Sequence, residues 1–273
     1  MTDTQAIPQP ALQRLAGLRR EGHPDGIFTS DFTVNEFLLV RKAGFEPIGL
    51  CVGSCVYHVG VQYGMWNRNQ ELDVLSKAMY HARELAMDRM RAEATAMGAD
   101  GIVGVKLTIK RLEWDENLLE FIAIGTGVVH GEGHAGFRAH DGGPFTSDLS
   151  GQDFWSLLHS GYRPVEMVMG SCVYHVAHRG VLAGLGTMGR NVELENFTAA
   201  MYEAREIAVE RMQVEASAAK AEGVVGVDIH EGSHGWQTHV IEFFAIGTAV
   251  LPLAAEIAPE KIPDPIMVLS VND

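Results

Sequence analysis

The heptapeptide Gly53-Ser54-Cys55-Val56-Tyr57-His58-Val59 occurs twice in this chain, returning unchanged as Gly170-Ser171-Cys172-Val173-Tyr174-His175-Val176. Seven consecutive identities mark an internal duplication, and the rest of the chain is read against it. Upstream, Phe28-Thr29-Ser30-Asp31 recurs as Phe145-Thr146-Ser147-Asp148 at the same offset of 117 residues. Downstream, Ala78-Met79-Tyr80 recurs as Ala200-Met201-Tyr202 at an offset of 122. Glu120-Phe121-Ile122-Ala123-Ile124-Gly125-Thr126 likewise recurs as Glu242-Phe243-Phe244-Ala245-Ile246-Gly247-Thr248. The second copy therefore carries a five-residue insertion between the heptapeptide and the Ala-Met-Tyr segment. This divides the chain into an N-terminal extension (1–27), a first module (28–130), a glycine- and histidine-rich linker (131–144), a second module (145–251) and a proline-spaced tail (252–273). Each module is about 100 residues, an ordinary domain size.

Around the heptapeptide the pattern predicts a strand over 48–59, with Ile48, Leu50, Val52 and Val56 on one face and Cys51, Gly53, Cys55 and Tyr57 on the other. Both faces are largely apolar, so this strand and its twin at 165–176 need cover on both sides. One cover is the module's own helix; the other must come from the sister module or another chain. Before the strand, Thr33-Val34-Asn35-Glu36 fits a capping box, and Phe37, Leu38 and Val40 make a short helix stopped by Gly44. Ser150, Asp153, Phe154, Leu157, Leu158 and Gly161 repeat that logic. After it, Leu75, Met79, Ala82, Ala86, Met90, Ala94 and Met97 step by three or four residues, which predicts one long helix over 72–97. Phe197, Met201, Ala204, Ala208, Met212 and Ala216 do the same in the second copy. Two antiparallel strands follow, over 101–109 and 118–129. The class is α+β: two tandem β-α-β-β modules, each preceded by a short capped helix. The glycine-rich stretch 177–195 reads as a flexible connection, and 265–271 as an edge strand within the tail.

Composition bounds what such modules do. The chain has 273 residues, is 47% hydrophobic and carries a net charge of −14, which argues against a nucleic-acid surface. No apolar run reaches the roughly 18 residues of a membrane span, and the first residues lack the blocks of a signal peptide. Three cysteines, Cys51, Cys55 and Cys172, make no disulfide framework and suit a reducing cytoplasm. The expectation is a cytoplasmic protein without nucleic-acid or membrane partners.

The segments Ala204-Arg205-Glu206-Ile207-Ala208, Gly223-Val224-Val225-Gly226-Val227 and Gly247-Thr248-Ala249-Val250, in a β-α-β-β order, carry a resemblance. Ala82-Arg83-Glu84-Leu85-Ala86, Gly101-Ile102-Val103-Gly104-Val105 and Gly125-Thr126-Gly127-Val128 repeat it in the first module. Each module resembles the YbjQ-like family, whose label is heavy-metal binding, over residues 46–129 and 163–250. The resemblance implies a dodecin-like fold, with one long helix on a three-stranded antiparallel sheet and subunits closing into a ring, commonly a pentamer. It implies no enzymatic mechanism.

Three constellations could carry chemistry. Cys55 with His58, and Cys172 with His175, suit a metal ion, zinc or softer. Residues three apart on a strand face opposite ways, so a site needs ligands from another strand, module or chain. The competing reading is a buried cysteine and a hydrogen-bonded histidine. His130 and His134 at the junction with the linker, and His230, His234 and His239 in the last hairpin, form a second group that is either weakly metal-binding or solvated. Glu120 and Glu242 form the third; each is an acid–base group if buried alone, or a partner for Arg83 or Arg205. The leading expectation is a non-enzymatic, ring-forming binding protein that meets itself, and an additional protein partner through its tails. A metal-binding protein and a small-molecule carrier, by analogy with flavin-binding dodecins, are the alternatives.

Overall fold

The computed structural model describes residues 7–18, 26–59, 68–112, 118–131, 135–177, 193–232 and 239–254. The connection at 178–192 and the tail strand expected at 265–271 lie outside the described residues, as do His134 and His234. The extension forms helix α1 (Gln9–Ala16). The first module runs α2 (Val34–Lys42), β1 (Phe45–His58), β2 (Gln70–Glu71), α3 (Asp73–Met97), β3 (Gly101–Arg111) and β4 (Leu118–His130). The second runs β5 (Phe145–Ser147), α4 (Gly151–His159), β6 (Tyr162–His175), α5 (Glu195–Ala218), β7 (Gly223–Gly232) and β8 (Val240–Pro252).

Local chemistry accounts for these elements. At the head of α2 the Thr33 side chain accepts from the Glu36 N–H, and the Glu36 carboxylate accepts from the Thr33 N–H at 2.8 Å, which completes the capping box. Ser150 caps α4, accepting from the Asp153 N–H at 3.1 Å. The glycine that opens the heptapeptide lets each long helix sit directly on its strand. A methyl group on Gly53 would coincide with the Ala86 carbonyl of α3, and one on Gly170 with the Ala208 carbonyl of α5. The alanine stripe on each helix and the glycine on each strand thus form one close contact.

Each module supplies the three antiparallel strands expected of it, β1, β4 and β3 in the first and β6, β8 and β7 in the second, and each sheet gains one more. Each sheet has four strands, in the orders β1-β4-β3-β5 and β2-β6-β8-β7. The fourth strand is lent by the other module. β5 runs parallel to β3, with Gly101 opposite Phe145, while β2 runs antiparallel to β6, with Gln70 opposite His175. Strands of two and three residues show no period of their own, so the sequence pattern does not reveal them.

The long helices differ in cover. Helix α3 buries a broad face, with Ser76, Arg83, Met87 and Glu93 beside its alanine and methionine stripe, and leaves Val74, Lys77 and His81 exposed on the other side. It shares one core with Met167, Met169, Val173, Val240 and Phe244 of the second module. Helix α5 buries only the stripe itself: Ala200, Ala204, Ala208, Met212 and Ala216. The two-sided cover expected for the heptapeptide strands is therefore complete on β6 and partial on β1. Val173 is 0% exposed and its counterpart Val56 57%. A third core, with Val40, Phe45, Phe145, Phe154 and Leu158, lies under α2 and α4.

Candidate functional site

The cysteines face inward. Cys55 and Cys172 are buried. Burial pushes the Cys172 thiol up to about 12, and nearby Glu71 adds to the effect. Burial also raises Cys55, against the pull of Arg89. Cys51 is pushed far up by burial and by Glu93. In each case burial favours the neutral thiol. His58 is exposed on the face opposite Cys55. His175 is buried, with Nδ1 3.3 Å from the Arg68 carbonyl oxygen. Among the described residues no three His, Cys, Asp or Glu side chains gather as a ligand set. The remaining histidines are dispersed. His130 packs edge-on against Phe45, His140 is exposed, His230 lies 3.5 Å from Asp228, and His239 faces Phe197.

The polar constellation that the structure does assemble lies where α3 crosses the outer face of β6 and β8. Arg83, 1% exposed, makes a two-pronged pair with Glu242, 2% exposed, at 2.7 and 2.9 Å. The Ser171 hydroxyl donates to the same carboxylate at 2.7 Å and accepts from Arg83 at 3.1 Å. The Phe244 ring lies 3.8 Å under the guanidinium. A planar guanidinium suits this forked, stacked position in a way an ammonium does not. The carboxylate–arginine pairing expected for Glu242 is thus realised, with the arginine coming from the first module. Glu120 is half-buried, opposite Val56 and Lys110 in its sheet. Arg205 is half-exposed, over the Phe243 ring and 3.5 Å from Glu231.

Further bonds hold the same junction. The Leu72 N–H donates to the Val173 carbonyl and the Val173 N–H to the Ser76 hydroxyl, both at 2.8 Å. Arg211 pairs with Glu71 at 2.6 Å and donates to the Ser171 carbonyl at 2.6 Å. Glu215 accepts from the Met169 N–H at 2.7 Å and from the Tyr80 hydroxyl. Burial raises its carboxyl to about 7, although the Met169 bond pulls the other way. Beside it, a cleft of about 330 Å³ is lined by Tyr80, Glu84, Arg91, Asp141 and Glu166 among others. Glu71, Tyr80, Arg211 and Glu215 form no chemical motif by their spacing in the sequence. The available signal was their repetition: Glu193, Tyr202, Arg89 and Glu93 stand at the matching positions of the other module. Chemically the arrangement is a fastening, since its charged and polar groups pair with one another across two modules, although Arg83 Nε is buried without a hydrogen-bond partner among the described residues.

A family model described as "Putative heavy-metal-binding" (YbjQ_1) matches residues 69–131 and 162–252, together more than half of the chain. The encapsulin nanocompartment protein Rv1762c of Mycobacterium tuberculosis is 48% identical over 231 residues, covering 85% of this chain and 88% of that protein. A UPF0145 protein of Halorubrum lacusprofundi is 36% identical over 95 residues, covering 33% of this chain and 89% of its own length. The short relative thus spans about one module, and the long one spans most of the duplicated chain. No helix among the described residues is long and apolar enough to cross a membrane.

Proposed function

This chain belongs to the YbjQ family as a tandem duplicate, and from that premise we propose that it is a non-enzymatic protein whose copies join head to tail into a closed assembly. One observation carries the reading. The two long helices carry the same apolar stripe, yet α3 is covered by two sheets and α5 by one. The bare side of α5 includes Tyr202, 61% exposed, and Val214, 63% exposed. On the first module the outer face of β1 is bare as well, at Ser54, Val56 and His58. Different patches thus lie open on the two modules, as a head-to-tail contact requires; such contacts close into rings or run on as filaments. The relative named as an encapsulin nanocompartment protein supports assembly as the activity. Light scattering on a sizing column at micromolar concentration is the test. The expected result is one discrete multiple of 29.7 kDa. A single-chain species at that concentration would contradict the proposal.

A further inference from the structure

The junction between the modules is a contact whose two halves recur apart from one another, one on β1 and β4 and the other on α5, where Arg205 lies 3.5 Å from Glu231 of its own module. Resting on the head-to-tail reading above, we infer that α5 of one copy docks on the outer β1–β4 face of the next. In this contact Arg205 pairs with the neighbour's Glu120 and Glu193 with the neighbour's Arg89. The neighbour's Phe28–Ser30 segment joins the edge of β7, the outer strand of its sheet among the described residues.

The internal repeat supplies the correspondence. Arg83, Glu242 and Ser171 hold the junction, and Arg205, Glu120 and Ser54 are their counterparts. Glu71 and Arg211 have Glu193 and Arg89 as counterparts. Arg89 already donates to the Ser54 carbonyl at 2.5 Å, as Arg211 does to the Ser171 carbonyl at 2.6 Å. Arg211 adds a carboxylate, Glu71; among the described residues no carboxylate pairs with Arg89. Glu193 is exposed at the head of α5.

The strand exchange repeats too. Thr146 accepts from the Met167 N–H at 2.8 Å and Ser147 lies 3.0 Å from Thr248, which mounts β5 on the second module. Thr29 accepts from the Leu50 N–H at 3.2 Å and Ser30 lies 3.1 Å from Thr126, which mounts Phe28–Ser30 on the first. The far edge of β5 is taken by β3, and the Phe145 ring fills the space over Gly101. At Gly223, the counterpart of Gly101, no ring fills that space, where an added Cβ would meet Val250 at 3.9 Å, and among the described residues β7 is the outer strand of its sheet. An uncovered strand edge is a ready template for another chain.

One element stands in the way. Glu93, the counterpart of Glu215, accepts from the Val52 N–H at 2.8 Å and pairs with Arg14 of α1. Arg14 also donates to the Leu50 carbonyl at 2.7 Å. It therefore holds the position that Tyr80 holds on Glu215, and that Tyr202 of the incoming helix needs. Helix α1 and the neighbour's α5 compete for this face, so α1 is a removable cover.

Mass photometry of the full chain, from nanomolar to micromolar concentration, tests the contact with Arg205→Glu, Glu120→Arg and the chain that carries both substitutions. Each single variant should keep the circular dichroism of the parent and raise the dissociation concentration at least about thirtyfold, because each leaves like charges facing at a desolvated contact. The chain that carries both should recover assembly, since the two charges are then exchanged at every contact whatever the number of copies. Arg14→Ala should assemble at lower concentration than the parent. Single variants that assemble like the parent would place the contact elsewhere and overturn this inference while leaving the assembly reading intact. A parent that stays a single chain would overturn both, and an unchanged Arg14→Ala would remove the competing role of α1.

Discussion

At the scale of single residues, the centre of the molecule is the Arg83–Glu242 pair. Removing one partner leaves the other charged and buried, which costs about 3–5 kcal/mol. Arg83→Ala should therefore lower Tm by many degrees in a thermal melt, more than Arg83→Met with Glu242→Leu, where neither charge remains. Equal losses in the two would mean that the pair's charges are not what holds the junction. The pairing type was legible, because a carboxylate opening an apolar strand calls for a cation. Which arginine answers was not, since Arg83 and Glu242 stand 159 residues apart in different modules. The cysteines are the other residue-scale question. Cys172, with a thiol pushed up to about 12 by burial, should react with a thiol reagent only as fast as the fold opens. Cys172→Ser should cost on the order of 1–3 kcal/mol. A strong chelator should leave the Tm of the parent unchanged; a large chelator-induced drop that is absent from the cysteine variant would install the metal reading in its place.

At the scale of elements, close backbone packing sets the limits. The heptapeptide was legible as a strand, and its glycine has a definite reason: each long helix places a carbonyl where a side chain would start. Gly170→Ala must push α5 off β6, and overpacking of this kind costs about 1–3 kcal/mol or more. An unchanged Tm would contradict the contact. The capping box of α2 was equally legible, because both partners lie within four residues. β2 and β5 were not, because their partners lie in the other module. Glu215 joins α5, β6 and α3, and its carboxyl is raised from an ordinary value of 4.5 to about 7. The folded state thus binds a proton more tightly than the unfolded chain. Stability from this group is full below pH 4.5 and declines as pH rises, and the loss is complete above about 7. Glu215→Gln keeps the acceptor oxygen without the charge and should flatten that part of the stability profile in a series of melts across this range. An identical slope in parent and variant would remove Glu215 as its source.

At the scale of the whole molecule, duplication explains the layout. Two like modules in one chain make one complete junction and leave its two complementary halves open. The doubly apolar heptapeptide strands already called for cover from a sister module or another chain. The structure supplies the first at β6 and leaves β1 open. Order and face are legible from a repeat; which copy covers which is not, because identical segments carry no mark of direction. The direction lies in the joined elements, α3 over β6 and β5 beside β3. The most direct measurement is an electron-microscopy reconstruction of the assembled protein at side-chain resolution. The account expects each α5 to lie between two sheets, with Arg205 of one copy on Glu120 of the next and α1 moved off Glu93. An assembled particle whose α5 faces solvent along Tyr202 and Arg205 would contradict it.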